Sequence, residues 1–126
     1  MHTNQNQQAG YDLMAAAFEV HRVLRGGLLE EVYQSCLELE LECRGIPFAA
    51  QARLQLHYKG RIIRACYVPD LLLQESSIVV ELKSVSGLTN EHRAQLLNYM
   101  RIARMPVGYL INFAPLKGVE WERLII

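Results

Sequence analysis

Apolar positions recur at helical spacing over residues 11 to about 24, with Met14, Phe18 and His21 roughly aligned on an alanine-rich stretch, which predicts a first helix. Gly26-Gly27 breaks that pattern. A second helical pattern runs from residue 28 to 44 and ends at Gly45 and Pro47. Residues 52–58 and 61–67 flank Lys59-Gly60 and predict a hairpin, followed by two further strands, 70–74 and 77–83, joined by a Glu75-Ser76-Ser77 turn. Thr89 or Asn90 is suited to cap a third helix reaching about Arg104, with Glu91 favourable in its first turn and Met105-Pro106 as its stop. Residues 107–113 read as a buried strand and 119–126 as a closing one. The order ααβββ(β)αββ predicts an α/β domain, a central mixed β-sheet flanked by helices. Residues 1–9 lack an apolar stripe and read as a flexible polar tail ahead of a single domain over 10–126.

The helix faces carry more than fold. At 100° per residue, Glu31, Gln34, Ser35, Glu38 and Glu42 form the polar side of the second helix, while Glu30 falls beside Tyr33, Leu37 and Leu41. A carboxylate there needs a partner, such as a metal, Lys83 or water, or else the helix N-terminal dipole. On the third helix His92, Leu96, Tyr99 and Ala103 share a face with Gln95 at its edge. Gln95 and Tyr99 suit either a reactive site or a buried amide and phenol satisfied by backbone. His21 and His92 read as satisfied, half-buried histidines.

Composition narrows the class. A 126-residue chain with 51% hydrophobic and 21% charged residues describes one folded domain with a real core. No apolar run reaches about 18 residues and no basic-then-apolar leader is visible, so the expected location is cytoplasmic, away from membranes. Cys36, Cys43 and Cys66 lack metal-site spacing and read as reduced core thiols. Thirteen basic residues balance thirteen acidic ones, which argues against tight nucleic-acid binding driven by overall charge. Local clusters remain: Arg53, Lys59, Arg61 and Arg64 flank the hairpin, and Arg93, Arg101 and Arg104 lie along the third helix.

Three polar groupings interrupt the apolar segments in order: Pro69-Asp70, then Glu81-Leu82-Lys83, then Gln95 and Tyr99. Side chains alternate across a strand, so Glu81 and Lys83 point one way and Leu82 the other. A hairpin brings Asp70 beside Glu81. Two carboxylates plus water and a substrate phosphate complete the octahedral shell of a hard divalent cation. Such an ion activates water and polarises phosphoryl oxygens, while an ammonium such as Lys83 orients the attacking water or neutralises developing charge.

Together these residues resemble the PD-(D/E)xK nuclease superfamily. The Gln95-x-x-x-Tyr99 element is similar to its RecB-like branch, and Gly27-x-x-Glu30-x-x-Tyr33 resembles the motif that names the GxxExxY family of small stand-alone members. The resemblance implies a restriction-endonuclease-like core. It also implies that Asp70, Glu81 and the Leu82 backbone carbonyl bind Mg²⁺ or Mn²⁺, that Lys83 acts on the nucleophilic water with Gln95, and that Glu30, Tyr33 and Tyr99 support the site. Two positions depart from the family pattern: Leu24-Arg25-Gly26-Gly27 stands where Leu-Gly-Pro-Gly is common, and Val68-Pro69 where an Arg-Ala pair usually precedes the aspartate. The expected activity is metal-dependent hydrolysis of nucleic acid, DNA more than RNA. The alternatives are a catalytically silent nucleic-acid-binding module of the same fold, and a partner-docking protein or homodimer that pairs through Leu124-Ile125-Ile126.

Overall fold

Three buried stretches, residues 71–73, 78–82 and 107–113, can be covered only if helices pack on both faces of the sheet they form. The computed structural model describes residues 2–64 and 66–126, the first four of these as backbone only, and has that layered arrangement. Helix α1 spans His2–Leu24 and α2 spans Glu30–Cys43. Strands β1 (Ala49–Ala50), β4 (Leu71–Leu73), β5 (Ile78–Lys83), β6 (Val107–Asn112) and β7 (Glu120–Ile125) form one sheet in the order β1-β4-β5-β6-β7. Strands β2 (His57–Tyr58) and β3 (Arg61–Ile62) make a separate hairpin arm. Helix α3 (Asn90–Ala103) connects β5 to β6, the only parallel pair in the sheet.

The two faces bury different helices. Leu13, Ala16 and Ala17 of α1 and Tyr33, Leu37 and Leu41 of α2 pack against Leu71, Ile78, Val80, Leu82 and Ile111. Leu96, Tyr99 and Met100 of α3 pack against Leu72, Val79 and Leu110 on the opposite face. Glu81 and Lys83 continue the Val79 side of β5 and therefore point toward α3.

The turn between α1 and α2 is locked to the end of β6. A Cβ on Gly26 would run into the Ala114 carbonyl oxygen, so this backbone approach favours glycine. Nearby, His21 Nε2 lies 2.7 Å from the Pro115 carbonyl oxygen. The arm turns at Lys59 and Gly60, both at positive φ (50° and 79°), as a tight hairpin of this kind needs.

Several expectations are corrected. Residues 2–9 of the expected polar tail continue α1, aided by a Gln8 to Asp12 side-chain hydrogen bond of 3.0 Å; Met1 lies outside the described residues. Strand β1 has no sequence counterpart among the expected elements and exists through its pairing with β4. Cys43 and Cys66 are exposed rather than core thiols, and Phe18 is 47% exposed beside the buried Met14 and His21. No described helix is long and apolar enough to cross a membrane.

Candidate active site

Strands β4 and β5 pair with Leu71 opposite Val80, so one step further along that register sets Asp70 opposite Glu81. The two residues then bind each other's backbone. The Asp70 N–H donates to Glu81 Oε1 at 2.8 Å, and the Leu82 N–H donates to Asp70 Oδ2 at 2.7 Å. Pro69 is buried just before this pair, where the ladder has stopped and no donor is required. A strand residue's N–H and C=O point to the same side, so the Leu82 carbonyl also faces Asp70. In accord with that alternation, the Lys83 carbonyl faces the other way and accepts from the Phe113 N–H at 2.9 Å.

Burial sets the electrostatics of the pair. Glu81 is 4% exposed and its pKa is pushed up to about 8, first by desolvation and then by the charge of Asp70, against the Asp70 N–H and Lys83. Asp70 is raised as well by desolvation, opposed by the Leu82 N–H, the Gln51 amide and Lys83. Glu30 is exposed overall, yet partial desolvation and the charge of Asp70 raise its carboxyl, and Lys83 acts against this. Three acids thus share one neighbourhood with a single ammonium. Carboxylates held this way disfavour their own charged state and gain from a bound cation.

The donor set suits a hard ion. Among the described residues no three His, Cys, Asp or Glu side chains gather as a closed ligand set. Asp70 and Glu81 carboxylate oxygens and the Leu82 carbonyl provide oxygen donors only, which fits Mg²⁺ or Mn²⁺ retaining water and taking substrate phosphate. A cleft of about 380 Å³ lined by Leu29, Glu30, Glu31, Gln34, Gln51 and Asp70 opens on the Asp70 side of the pair.

Lys83 ends β5 beside Gln95. Its Nζ donates to Gln95 Oε1 at 3.0 Å, and Gln95 Nε2 donates to the Tyr99 hydroxyl at 3.2 Å. Residues four apart on α3 therefore form one hydrogen-bonded line to the ammonium. Tyr99 meets the edge of Tyr67 at 6.1 Å, and its hydroxyl pKa is raised by desolvation and then by the charge of Glu81. The phase of α3 is fixed by its cap: Thr89 Oγ1 accepts from the His92 N–H, and His92 Nδ1 accepts from the Thr89 N–H.

The remaining expected residues divide. Glu30, first residue of α2, joins the acidic neighbourhood, whereas Tyr33 does not. The Tyr33 ring stacks on Phe113 at 4.6 Å, and its hydroxyl donates to the Arg25 carbonyl at 2.6 Å and accepts from the Leu28 N–H at 3.1 Å. It braces the turn that delivers Glu30. Arg93 forms a bidentate pair with Glu122, at 2.7 and 2.6 Å, so it is not a free cation on α3.

Three participants escaped the sequence reading. Gln34 Nε2 and the Gln51 N–H both hold the Asp70 carbonyl, at 3.0 and 3.1 Å, and Gln51 Nε2 lies 3.4 Å from Asp70 Oδ1. Gln51 does so at φ 52°, a left-handed conformation that a non-glycine residue adopts at a cost. Asn112, fully buried at the end of β6, bonds both the N–H and the carbonyl of Val85, at 3.0 and 2.9 Å, and so ties down the segment after Lys83. A polar residue ending an apolar run was the only available signal for it.

Comparison with known proteins bears on this geometry. A family model described as the PD-(D/E)XK nuclease superfamily matches residues 7–124. Among solved structures, "Crystal structure of SSO0001" superposes with a TM-score of 0.60 at 20% identity, over 75% of this chain. The chain spans about half of that structure's length, 48%, and the likeness concerns the fold. No curated protein gives a significant match.

Proposed function

Because the chain belongs to the PD-(D/E)XK nuclease superfamily, we propose that it is a metal-dependent phosphodiesterase that hydrolyses nucleic acid, DNA in preference to RNA. The observation that carries this reading is the cross-strand convergence of Asp70 and Glu81 beside the Lys83–Gln95–Tyr99 line. A Mg²⁺ or Mn²⁺ ion held by Asp70, Glu81 and the Leu82 carbonyl would polarise the phosphoryl group and lower the pKa of a coordinated water. Lys83, aimed by Gln95, donates to the attacking water and offsets negative charge that builds on the phosphate oxygens. Tyr99 restrains Gln95, Glu30 enlarges the acidic field, and Tyr33 holds Glu30 in place. Gly27-x-x-Glu30-x-x-Tyr33 and Gln95-x-x-x-Tyr99 support membership of the GxxExxY family and the RecB-like branch. The working unit is a single domain over residues 10–126, with the first turns of α1 ahead of it, acting in the cytoplasm.

Cleavage of DNA and RNA with Mg²⁺ and with Mn²⁺ tests the reading. Lys83→Ala should remove cleavage by at least about a hundredfold while leaving the circular dichroism spectrum intact; a variant that still cuts at the wild-type rate would eliminate this site. A second reading, assembly through a sheet edge, draws on β7, an edge strand with Ile125 and Ile126 more than half exposed. Solution mass decides it.

A further inference from the structure

From Gln51 to Pro69 the chain contains Arg53, Lys59, Arg61 and Arg64 and no acidic residue, leaving nine basic against thirteen acidic residues elsewhere. The neutral total therefore conceals a cationic arm. All four side chains are exposed, and the three ion pairs among the described residues involve none of them. The arm is rooted at the acidic pair. Gln51 binds the Asp70 carbonyl at one end, and at the other the Leu54 N–H donates to the Tyr67 carbonyl at 2.8 Å, with Tyr67 against Tyr99.

Between this arm and the end of α3 lies an open groove of about 860 Å³. Arg53 and Arg64 line it together with Ile62, Ile63, Ile102 and Ala103, and Ile62 stays 60% exposed. Cations with an aliphatic floor match one form of polyanion better than another. A duplex turns phosphates outward and keeps its base faces stacked inside, so it would leave the isoleucines in contact with water. A single strand presents phosphates and apolar base faces together.

We infer that the groove between the β2–β3 arm and α3 holds a single strand of nucleic acid that continues to the acidic pair, with Arg53 and Arg64 on its phosphates and Ile62, Ile63 and Ile102 beneath its bases. The direction of the strand rests on the phosphodiesterase reading; the groove itself is tested without it. In EDTA, fluorescence anisotropy with oligo(dT), oligo(U) and a duplex of equal length should rank both single strands above the duplex. Each phosphate contact on a single strand contributes about 0.7 to the log–log salt slope, so Arg53→Ala with Arg64→Ala should lower it by roughly 1.4. Ile62→Ser should weaken binding several-fold and leave the slope unchanged. Cys66 lines the groove and Cys43 ends α2, both exposed, so bound oligo(dT) should slow maleimide labelling of Cys66 in the unaltered protein and spare Cys43.

A duplex that binds as tightly as the single strands, an unaltered salt slope, or Cys66 labelling indifferent to oligo(dT) would each overturn the inference. Cleavage is read separately with Mn²⁺. Groove binding without cleavage would uphold the inference and remove the phosphodiesterase reading, and cleavage without groove binding would do the reverse.

Discussion

Without a divalent ion, this protein should lose stability as pH rises through neutrality, because Glu81 holds its proton to about pH 8 in the folded chain against 4.5 for an ordinary glutamate. The sign follows from proton counting. Below 4.5 both folded and unfolded chains carry the proton and nothing is lost. Between 4.5 and about 8 only the folded chain retains it, so each step upward in pH favours unfolding until the folded carboxyl also ionises. At about 1.4 kcal/mol per pKa unit the full window is worth roughly 5 kcal/mol, of which about 4 falls between about pH 5 and pH 8. Glu81 is buried, so solvent screening removes little of this, and Asp70 and Glu30 are shifted in the same direction. For a chain of this size the loss corresponds to roughly 15 °C in melting temperature.

Urea unfolding in EDTA at several pH values, followed by circular dichroism and by Trp121, the only tryptophan, measures the slope directly. Glu81→Gln keeps an oxygen for the Asp70 N–H but cannot ionise, so it should flatten most of the slope and exceed the unaltered protein in stability near pH 8. Added Mg²⁺ should recover stability most at high pH, where the ion competes with fewer protons. A Glu81→Gln slope equal to that of the unaltered protein, or stability that rises across the window, would refute the reasoning.

Two substitutions probe the supports of the site. Gly26→Ala places a methyl group against the Ala114 and Pro115 carbonyls and should cost about 1–3 kcal/mol, measured by urea unfolding. Asn112→Ala strands the Val85 N–H and carbonyl and frees Glu120, which accepts from both the Asn112 amide and the Leu88 N–H, so it should cost about 2 kcal/mol, with hydrogen exchange at Val85 and Leu88 accelerated more than in β5 and β6.

Local signals carried most of the architecture into the sequence. Thr89 at the start of a helical pattern, Lys59-Gly60 between two short strands, and the apolar run ahead of Glu81 each identify an element by short-range chemistry. What stayed illegible depends on distant partners. Strand β1 is two alanines that become a strand only beside β4, and Gln51 reaches the site because the Asp70 carbonyl, nineteen positions away, holds it in a left-handed conformation. The start of α1 carries no apolar stripe in its sequence, so periodicity could not distinguish it from a tail. For Tyr33, spacing located the motif but not its task, since a phenol that braces a turn and one that touches substrate look alike in sequence.

Charge distribution settles an apparent conflict in the composition. A neutral chain is a poor polyanion binder if its charges are mixed, but electrostatic potential follows placement rather than totals. Here four exposed cations stand on the arm, while Asp70, Glu81 and Glu30 gather at its root. An approaching phosphate chain meets attraction along the arm and repulsion at the acids, and two things reduce that repulsion: the proton on Glu81 and a divalent cation. Strand and cation therefore favour each other's binding, and linkage requires the effect to be equal in both directions. If the groove holds a strand as inferred, the arm would supply affinity that does not depend on metal, and the acidic pair a position where the strand is tolerated only once its charge is neutralised, so that grip on the strand and cutting at the acids would be separable.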